Sequence, residues 1–333
     1  NISDRIIYSK TFGSGANNGE DKHGHGTHVA GIIASSDIDY TGVAPGADII
    51  ALSIFNDNQA YVEEALAWCV ANVEEYSIDV INLSLGTPSV YFQSENVPIF
   101  ESLSGDYDEF EALEKLGVVC VAAAGNDYIG KTEDGVYFED VYLVDGAQAG
   151  DFQIVSGSNS AGLEGISSPA AYSNTISVGA TWASNLDTWE SIDAENPGSL
   201  TIFSQRDDEL LDVVAYGGGV TSAAVGGGTV VMSGTSMSAP YVSGLILLLQ
   251  QAAVQELGRK LTFDEVKNII RTESDLTFDG DDEDYFHPNR NVDPSNKYYN
   301  EASINNWISY ISQLKEPHFH NVDLDSNYSE YNF

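Results

Sequence analysis

The sequence predicts a three-layer α/β sandwich with a mainly parallel central sheet. Short apolar segments that suit strands alternate along the chain with segments whose apolar residues recur at helical spacing. The strand-like segments are apolar throughout, which is typical of parallel strands covered by helices on both faces. Apolar residues make up 42% of the 333-residue chain, which is enough to bury a large core.

The first half of the chain contains the clearest alternation of elements. Residues 61–73 carry apolar side chains at intervals of three and four, which indicates a helix. Residues 47–54 form a short apolar run after Pro45-Gly46, which indicates a buried strand. In chain order we predict strands or helices as follows: strand 4–12, helix 28–35, strand 47–54, helix 61–73, strand 79–85, helix 110–116 and strand 118–124.

The second half is less regular, and we divide the chain there. Residues 128–165 lack a long apolar period, which indicates an inserted hairpin or loop. We assign residues 1–275 to the main domain and 276–333 to an acidic C-terminal extension, packed on that domain or trailing from it. The remaining predicted elements are strands 175–180 and 209–215, and helices 240–254, 262–271 and 300–315.

The charge of the chain excludes some partners. It has 13 basic and 51 acidic residues and a formal net charge of −38. Because phosphate binding needs basic patches, a nucleic-acid partner is excluded and an anionic membrane surface is disfavoured. We also expect no membrane span, since the best apolar run, 242–249, is short and contains Ser243 and Gly244. The chain starts at Asn1 rather than Met, so we expect that an upstream segment was removed or omitted.

The two cysteines cannot form a disulfide framework. Cys69 and Cys120 each lie in an apolar stretch, so we expect two buried free thiols, with a single bridge between them as the alternative.

Three short segments carry residues suited to nucleophilic catalysis: HGHGTHVAG at 23–31, AAAGN at 122–126 and SGTSMSAP at 233–240. Ser236 is placed where a turn enters a helix, and free N–H groups at a helix N-terminus suit an oxyanion. We place Pro240 in the first helical turn, where its missing N–H costs nothing. Asn126 ends an apolar strand, where clefts open in parallel sheets. Its amide can donate a hydrogen bond to a developing negative charge.

These segments, in this order, resemble the signatures of the subtilisin-like serine proteases. Residues 25–31 and 234–240 resemble the histidine and serine signatures, and 123–126 resembles the segment of the oxyanion asparagine. Residues 82–86 (NLSLG) are similar to the substrate-binding strand, and 42–47 to a turn of the family. The resemblance covers roughly residues 5–270.

The resemblance implies a serine endopeptidase, secreted or extracellular, that acts on proteins or peptides through an acyl-enzyme. Ser236 would be the nucleophile, His25 its general base, and Asn126 part of the oxyanion hole. An extended substrate would pair with the backbone of Ser84, Leu85 and Gly86. Ala123, Ala124 and Gly125 would also wall the pocket for the side chain before the cut. The floor of that pocket would lie within residues 128–165.

One element of the family pattern is missing, because no acidic residue before His25 matches the triad aspartate. Asp4 does not follow an apolar strand, and Asp21 lies in a polar loop where we expect a solvated charge. We expect that the aspartate is carried by an N-terminal segment outside this chain, either an omitted stretch or a separate fragment or propeptide that stays bound. A relocated aspartate and an inactive, peptide-binding or scaffold protein on the same fold remain alternatives.

Two metal hypotheses remain open in the sequence. His23, His25 and His28 could bind zinc, although their spacing does not place all three on one helical face. Asp279, Asp281, Asp282 and Asp284 are weak candidates for structural Ca²⁺, with a solvated acidic loop as the alternative; Asp37 and Asp39 are weaker still. We expect no cofactor for catalysis.

Overall fold

The structure is a computed structural model, and it describes most of the chain. The described residues are 2–13, 19–56, 59–87, 91–92, 97, 101, 104–126, 128, 137–138, 154–155, 165–183, 197–201, 203–280 and 295–314. The candidate calcium ligands Asp281, Asp282 and Asp284 lie outside these residues, as does most of the predicted insertion 128–165.

The described helices and strands follow the predicted order. The helices are α1 His25–Ala34, α2 Val62–Tyr76, α3 Tyr107–Lys115, α4 Thr235–Leu257, α5 Phe263–Thr272 and α6 Ile304–Leu314. The strands are β1 Ile6–Thr11, β2 Ile49–Ser53, β3 Phe55–Asn56, β4 Gln59–Ala60, β5 Val80–Leu83, β6 Tyr91–Phe92, β7 Val119–Ala123, β8 Tyr137–Phe138, β9 Ile154–Val155, β10 Ile166–Ser167, β11 Thr175–Trp182, β12 Val213–Gly218, β13 Val220–Ala223, β14 Thr229–Met232, β15 Asp275–Asp279 and β16 Lys297–Glu301.

A six-stranded, mainly parallel sheet forms the middle layer. Its order is β15-β16-β12-β11-β7-β5, and only the β15–β16 pair at one edge is antiparallel. The predicted parallel sheet is therefore confirmed, and the carboxyl ends of β5, β7, β11 and β12 open at one edge, where α/β proteins place their ligands.

Helices cover both faces of this sheet, and strand β7 shows how. Val119, Val121 and Ala123 belong to a cluster with Val242 and Ile246 of α4. The alternate residues Cys120 and Ala122 belong to a second cluster with helices α2 and α3. Successive side chains of a strand point to opposite faces, so a strand buried on both faces must be apolar at every position. The three-layer prediction follows from this pattern and is confirmed.

A separate parallel pair of strands, β1 and β2, lies outside the six-stranded sheet. Within the described residues β2 pairs only with β1, and β5 pairs only with β7. The apolar side chains of Ile50, Leu52 and Ile81 on these two strands are only half-buried. Both strands therefore have an edge without a hydrogen-bonded neighbour in the described part of the chain.

The described part of the region 276–333 contributes to the sheet and the core. Strands β15 and β16 extend the sheet, and Trp307 and Ile311 of α6 are fully buried in the cluster that contains α4. Residues 276–280 and 295–314 are thus packed on the main domain.

The cysteines and the longest helix test two further expectations. Cys69 and Cys120 are buried free thiols, as predicted, and burial raises the pKa of Cys69 to about 12. Helix α4 is, by length and composition alone, long and apolar enough to cross a membrane, which the run 242–249 had not suggested. However, 67% of its most apolar window is buried inside the protein, as in the core helix of a globular domain.

Candidate active site

Ser236 is the second residue of helix α4 and is buried, with 6% of its surface exposed. The preceding Gly234 has φ 153° and ψ 158°, a backbone conformation that is essentially restricted to glycine. This turn starts α4 at Thr235, five residues before the predicted start. Ser236 is therefore in the first turn of the helix, where backbone N–H groups have no partner within the helix.

Asn126 follows strand β7 and is fixed by its neighbour in α4. Its Oδ1 accepts hydrogen bonds from the N–H of Thr235 at 2.8 Å and from the Thr235 hydroxyl at 2.9 Å. Since the amide oxygen is held in this way, the orientation of the amide nitrogen is set as well. A Cβ placed on Gly234 would lie 3.5 Å from Asn126 Nδ2 and 3.7 Å from Ser236 N. The Asn126 amide and the Ser236 N–H thus both border the space beside Gly234 at the helix N-terminus.

His25 is the first residue of α1, and Asp21 caps this helix. One Asp21 oxygen accepts the N–H groups of His23 and Gly24, and the other accepts the N–H and hydroxyl of Thr27, at 2.7–2.9 Å. The expectation of a solvated charge was wrong, because these donors converge at the positive end of α1. Burial acts to raise the pKa of Asp21, but these hydrogen bonds outweigh it and lower the pKa below its ordinary value.

The pKa of His25 is lowered, mainly by burial and further by the nearby His23, while Asp21 acts in the opposite direction. A lowered pKa keeps the imidazole neutral near pH 7, which a general base requires. Both oxygens of Asp21 are engaged by its own loop and helix, which argues against Asp21 as a relocated triad acid.

His28 serves the fold. Its Nε2 lies 3.1 Å from the carbonyl oxygens of Val220 and Val230, on the two strands of the β13–β14 hairpin. Burial lowers the pKa of His28 to about 4, although both carbonyls act to raise it. Its Nε2 is thus engaged by the backbone, and His23, His25 and His28 belong to no group of described side chains that could hold a metal ion.

The histidine helix packs against the serine helix. Val29 and Ile32 of α1 share a buried cluster with Met237 of α4, the residue that follows Ser236. The structure therefore brings the two signature helices together as the sequence order predicts.

The predicted substrate-binding segments lie beside this site. Ser84, Leu85 and Gly86 follow strand β5. Ala123 ends strand β7, its neighbour in the sheet, and Ala124 and Gly125 follow it. The Ser84 hydroxyl donates a hydrogen bond of 2.7 Å to the carbonyl oxygen of Ser236. This contact joins the first segment directly to the serine turn.

Ser167 lies between the two segments and was not predicted from the sequence. A Cβ on Gly86 would meet the Ser167 hydroxyl at 2.6 Å, and a Cβ on Gly125 would meet it at 3.1 Å. Ser167 is 1% exposed, and its hydroxyl donates to the Ala124 carbonyl. The predicted pocket floor at 128–165 lies mostly outside the described residues, and Ser167 comes two residues after it. Pro169, two residues further on, is the sequence signal that could have drawn attention to this turn.

Asp279, the described calcium candidate, is engaged elsewhere. Its Oδ2 lies 3.2 Å from Arg206 Nε, both side chains are fully buried, and the same oxygen accepts the N–H and hydroxyl of Ser295. A guanidinium next to the carboxylate opposes a second cation, so Asp279 does not fit a calcium site. Asp37 accepts the N–H groups of Asp39 and Tyr40, as in a tight turn. Among the described residues no group of three or more His, Cys, Asp or Glu side chains could hold a metal ion.

A parallel sheet, a buried serine at a helix N-terminus and an asparagine amide held beside that turn are features of α/β serine hydrolases. Within that class, the chain belongs to the subtilase family, whose model matches residues 2–292.

Several proteases are similar to this chain. The major intracellular serine protease of Bacillus subtilis (strain 168) is 28% identical over 274 residues, which are 80% of this chain and 68% of that protein. The minor extracellular protease Epr of the same organism is 28% identical over 257 residues, 75% of this chain and 30% of Epr. The intracellular serine protease of Paenibacillus polymyxa is 29% identical over 254 residues, 74% of this chain and 60% of that protein.

A solved structure supports the fold. The prenylagaramide maturation protease PagA aligns with a TM-score of 0.57 and 21% identity, over 87% of this chain and 82% of that one. The names of the relatives include both intracellular and extracellular proteases, so family membership leaves open where this protein acts.

Proposed function

We propose that the protein is a serine endopeptidase that cleaves polypeptides through an acyl-enzyme on Ser236. The observation that carries the proposal is that Asn126 is hydrogen-bonded to Thr235, so that its amide lies against the helix turn that presents the Ser236 hydroxyl and N–H. Such a pair of donors stabilises the negative charge that develops on the carbonyl oxygen when a hydroxyl attacks it. Family membership and the packing of α1 on α4 support His25 as the partner of Ser236.

The reaction follows from these roles. The Ser236 oxygen attacks the carbonyl carbon of the scissile peptide bond while His25 takes the hydroxyl proton. The same imidazolium then gives the proton to the leaving amine, and the C–N bond breaks to leave an ester on Ser236. Water gives a proton to His25 and attacks that ester; the ester C–O bond then breaks, the carboxylic acid leaves, and His25 returns the proton to the Ser236 oxygen.

We propose that the carboxylate behind His25 comes from an N-terminal segment that adds a strand between β2 and β5. The two strands have free edges in the described residues, and their apolar side chains are half-buried. One inserted apolar strand would pair both edges, and its carboxyl end would lie at the same sheet edge as the serine turn. The segment would be a bound fragment, a propeptide or part of a longer chain.

Substrates would bind as an added strand along 84–86 and 123–125, with Ser167 limiting the depth between them. This arrangement favours small side chains before the cut, since the Ser167 hydroxyl occupies the space between two glycines. We also propose that the enzyme acts outside the cell; its presence in culture medium rather than in lysate tests this point.

A fluorophosphonate label tests the central proposal, because it reacts with an activated serine but not with an ordinary one. We expect labelling of Ser236 in the wild type, none in Ser236→Ala and strongly slowed labelling in His25→Ala. A folded wild-type protein without label would favour the alternative of a peptide-binding protein on the same fold.

Mass spectrometry tests the N-terminal segment. We expect the active preparation to contain a second polypeptide, or a longer one, under denaturing conditions. A single 35.8 kDa species with full activity would contradict the proposal.

A further inference from the structure

Pro240 removes a hydrogen bond from the helix that carries Ser236. In an α-helix the carbonyl of residue i accepts the N–H of residue i+4, so the Ser236 carbonyl should pair with residue 240. Residue 240 is a proline inside α4, beyond its first turn, and has no N–H to give. The expectation that Pro240 costs nothing was therefore wrong, because the residue that loses its helical partner is Ser236 itself.

Ser84 supplies the missing donor from another part of the chain. Its hydroxyl lies 2.7 Å from the Ser236 carbonyl oxygen, although the two residues are 152 positions apart. Ser236 is buried, and an unpaired buried carbonyl is costly, so this bond replaces the one that Pro240 removes.

Two further side chains orient the Ser84 hydroxyl. Asn82 Nδ2 donates to Ser84 Oγ at 2.9 Å, which occupies one acceptor position and leaves the hydroxyl proton to point at Ser236. Asn82 Oδ1 in turn accepts from the Ser243 hydroxyl of α4 at 3.1 Å. A series of hydrogen bonds thus links Ser243 of α4 to Asn82 and Ser84 at the end of β5, and from there to Ser236 in the first turn of α4.

We propose that Ser84 is a positioning residue that holds the peptide group of the nucleophile in register with the substrate-binding segment. This inference rests on the proposed function. The first turn of α4 carries both the Ser236 hydroxyl and the Ser236 N–H, so a shift of its carbonyl displaces the nucleophile and one oxyanion donor together. Because Ser84 also belongs to the segment that pairs with substrate, binding of an extended substrate along 84–86 stabilises the same turn.

A double-mutant cycle between Ser84→Ala and Pro240→Ala tests the proposal. The first substitution removes the hydroxyl donor, and the second returns a backbone N–H to the helix at the position that Ser236 needs. With Pro240 in place, we expect Ser84→Ala to lower kcat about tenfold with KM changed less than about threefold. In the Pro240→Ala background the same substitution should lower kcat less than about threefold, since the helix then satisfies its own carbonyl.

Two further measurements separate this proposal from its alternatives. The rate of labelling by a small fluorophosphonate, which does not use the substrate segment, should fall with Ser84→Ala and recover in the double variant. Thermal unfolding should show the same recovery, and it requires no activity. Ser84→Thr keeps the hydroxyl donor and should retain more of the labelling rate and of the thermal stability than Ser84→Ala.

The outcomes that overturn the proposal are distinct. A rise in KM with kcat unchanged would reduce Ser84 to a substrate contact, and an equal loss in both backgrounds would show that the bond to Ser236 is not the cause. If the wild type is not labelled, the proposed function fails. Recovery of thermal stability in the double variant would then test only whether the Ser84 hydroxyl replaces the hydrogen bond that Pro240 removes.

Discussion

The two sides of the candidate site are held in different ways. The serine side, comprising Ser84, Asn126, Thr235 and Ser236, is cross-linked by side-chain hydrogen bonds between elements far apart in the sequence. The histidine side, comprising Asp21, His25 and His28, is held by a local cap and by one hairpin. The serine side is therefore tied to several elements at once, whereas the histidine helix relies on its cap, on one hairpin and on its packing against the serine helix.

The largest expected effect tests whether the serine side is built as described. Asn126→Ala should lower kcat about 100- to 1,000-fold with little change in KM, because the donor acts on charge that exists only in the transition state. Thr235→Val leaves Asn126 in place but removes the hydroxyl, one of the two donors that hold the Asn126 amide oxygen. This variant should lower kcat only about tenfold. Asn72→Ala, whose amide donates to a carbonyl within α2, is the matched control and should leave kcat unchanged. A loss of less than about threefold in Asn126→Ala would remove this residue from the oxyanion hole.

The second prediction tests the hairpin that holds the histidine side. His28 has its pKa lowered to about 4 in the folded protein, against about 6.5 when unfolded. Between these values the unfolded chain binds a proton that the folded chain does not, so stability present above pH 6.5 is lost as the pH falls towards 4. The loss should reach about 3 kcal/mol.

Urea unfolding at a series of pH values measures this loss. His28→Asn cannot titrate there and should show a smaller decrease over the same interval than the wild type. Equal decreases in both proteins would show that His28 is not the responsible group.

A third prediction sharpens the description of the substrate pocket. Ser167→Gly removes the hydroxymethyl group between Gly86 and Gly125 and should raise kcat/KM for peptides with Phe before the cut about tenfold relative to those with Ala. This ratio corresponds to about 1.4 kcal/mol, within the range for added apolar contact in a pocket. Ser168→Gly, the adjacent residue, is the control for added backbone freedom. An unchanged ratio would place the pocket floor elsewhere.

The smallest expected effect concerns the cap of α1. Asp21→Ala removes an acceptor of four hydrogen bonds and should lower the free energy of unfolding by about 1 kcal/mol, as for other N-terminal caps. Asp21→Asn keeps one acceptor oxygen and should lose less. If Asp21 were instead the triad carboxylate, Asp21→Asn would abolish activity while the stability changed little, and kcat with unfolding curves distinguishes the two cases.

Local patterns in the sequence predicted the fold. Features that depend on contacts between distant residues could not be predicted in this way. The uninterrupted apolar run at 118–124 could only be a strand buried on both faces, and it became β7. The start of α1 was misplaced by three residues, because the cap by Asp21 depends on a loop conformation that composition does not encode. Asp279 looked like a calcium ligand because its partner Arg206 is 73 positions away, and no local signal links them.

The sequence motifs indicated the candidate site residues, but not the residues that hold them in place. Ser236, His25 and Asn126 stand out by their motifs, but the contribution of Ser84 depends on a proline in another element. Ser167 depends on two glycines that only the folded chain brings together.

The buried Arg206–Asp279 pair determines where the chain can be cut. A version shortened to residue 275 would remove the Asp279 carboxylate and leave the Arg206 guanidinium buried without it. This loss should lower the free energy of unfolding by about 3–5 kcal/mol. It would also expose the surface that Trp307 covers. A shortened chain should therefore retain Asp279 and the helix that carries Trp307.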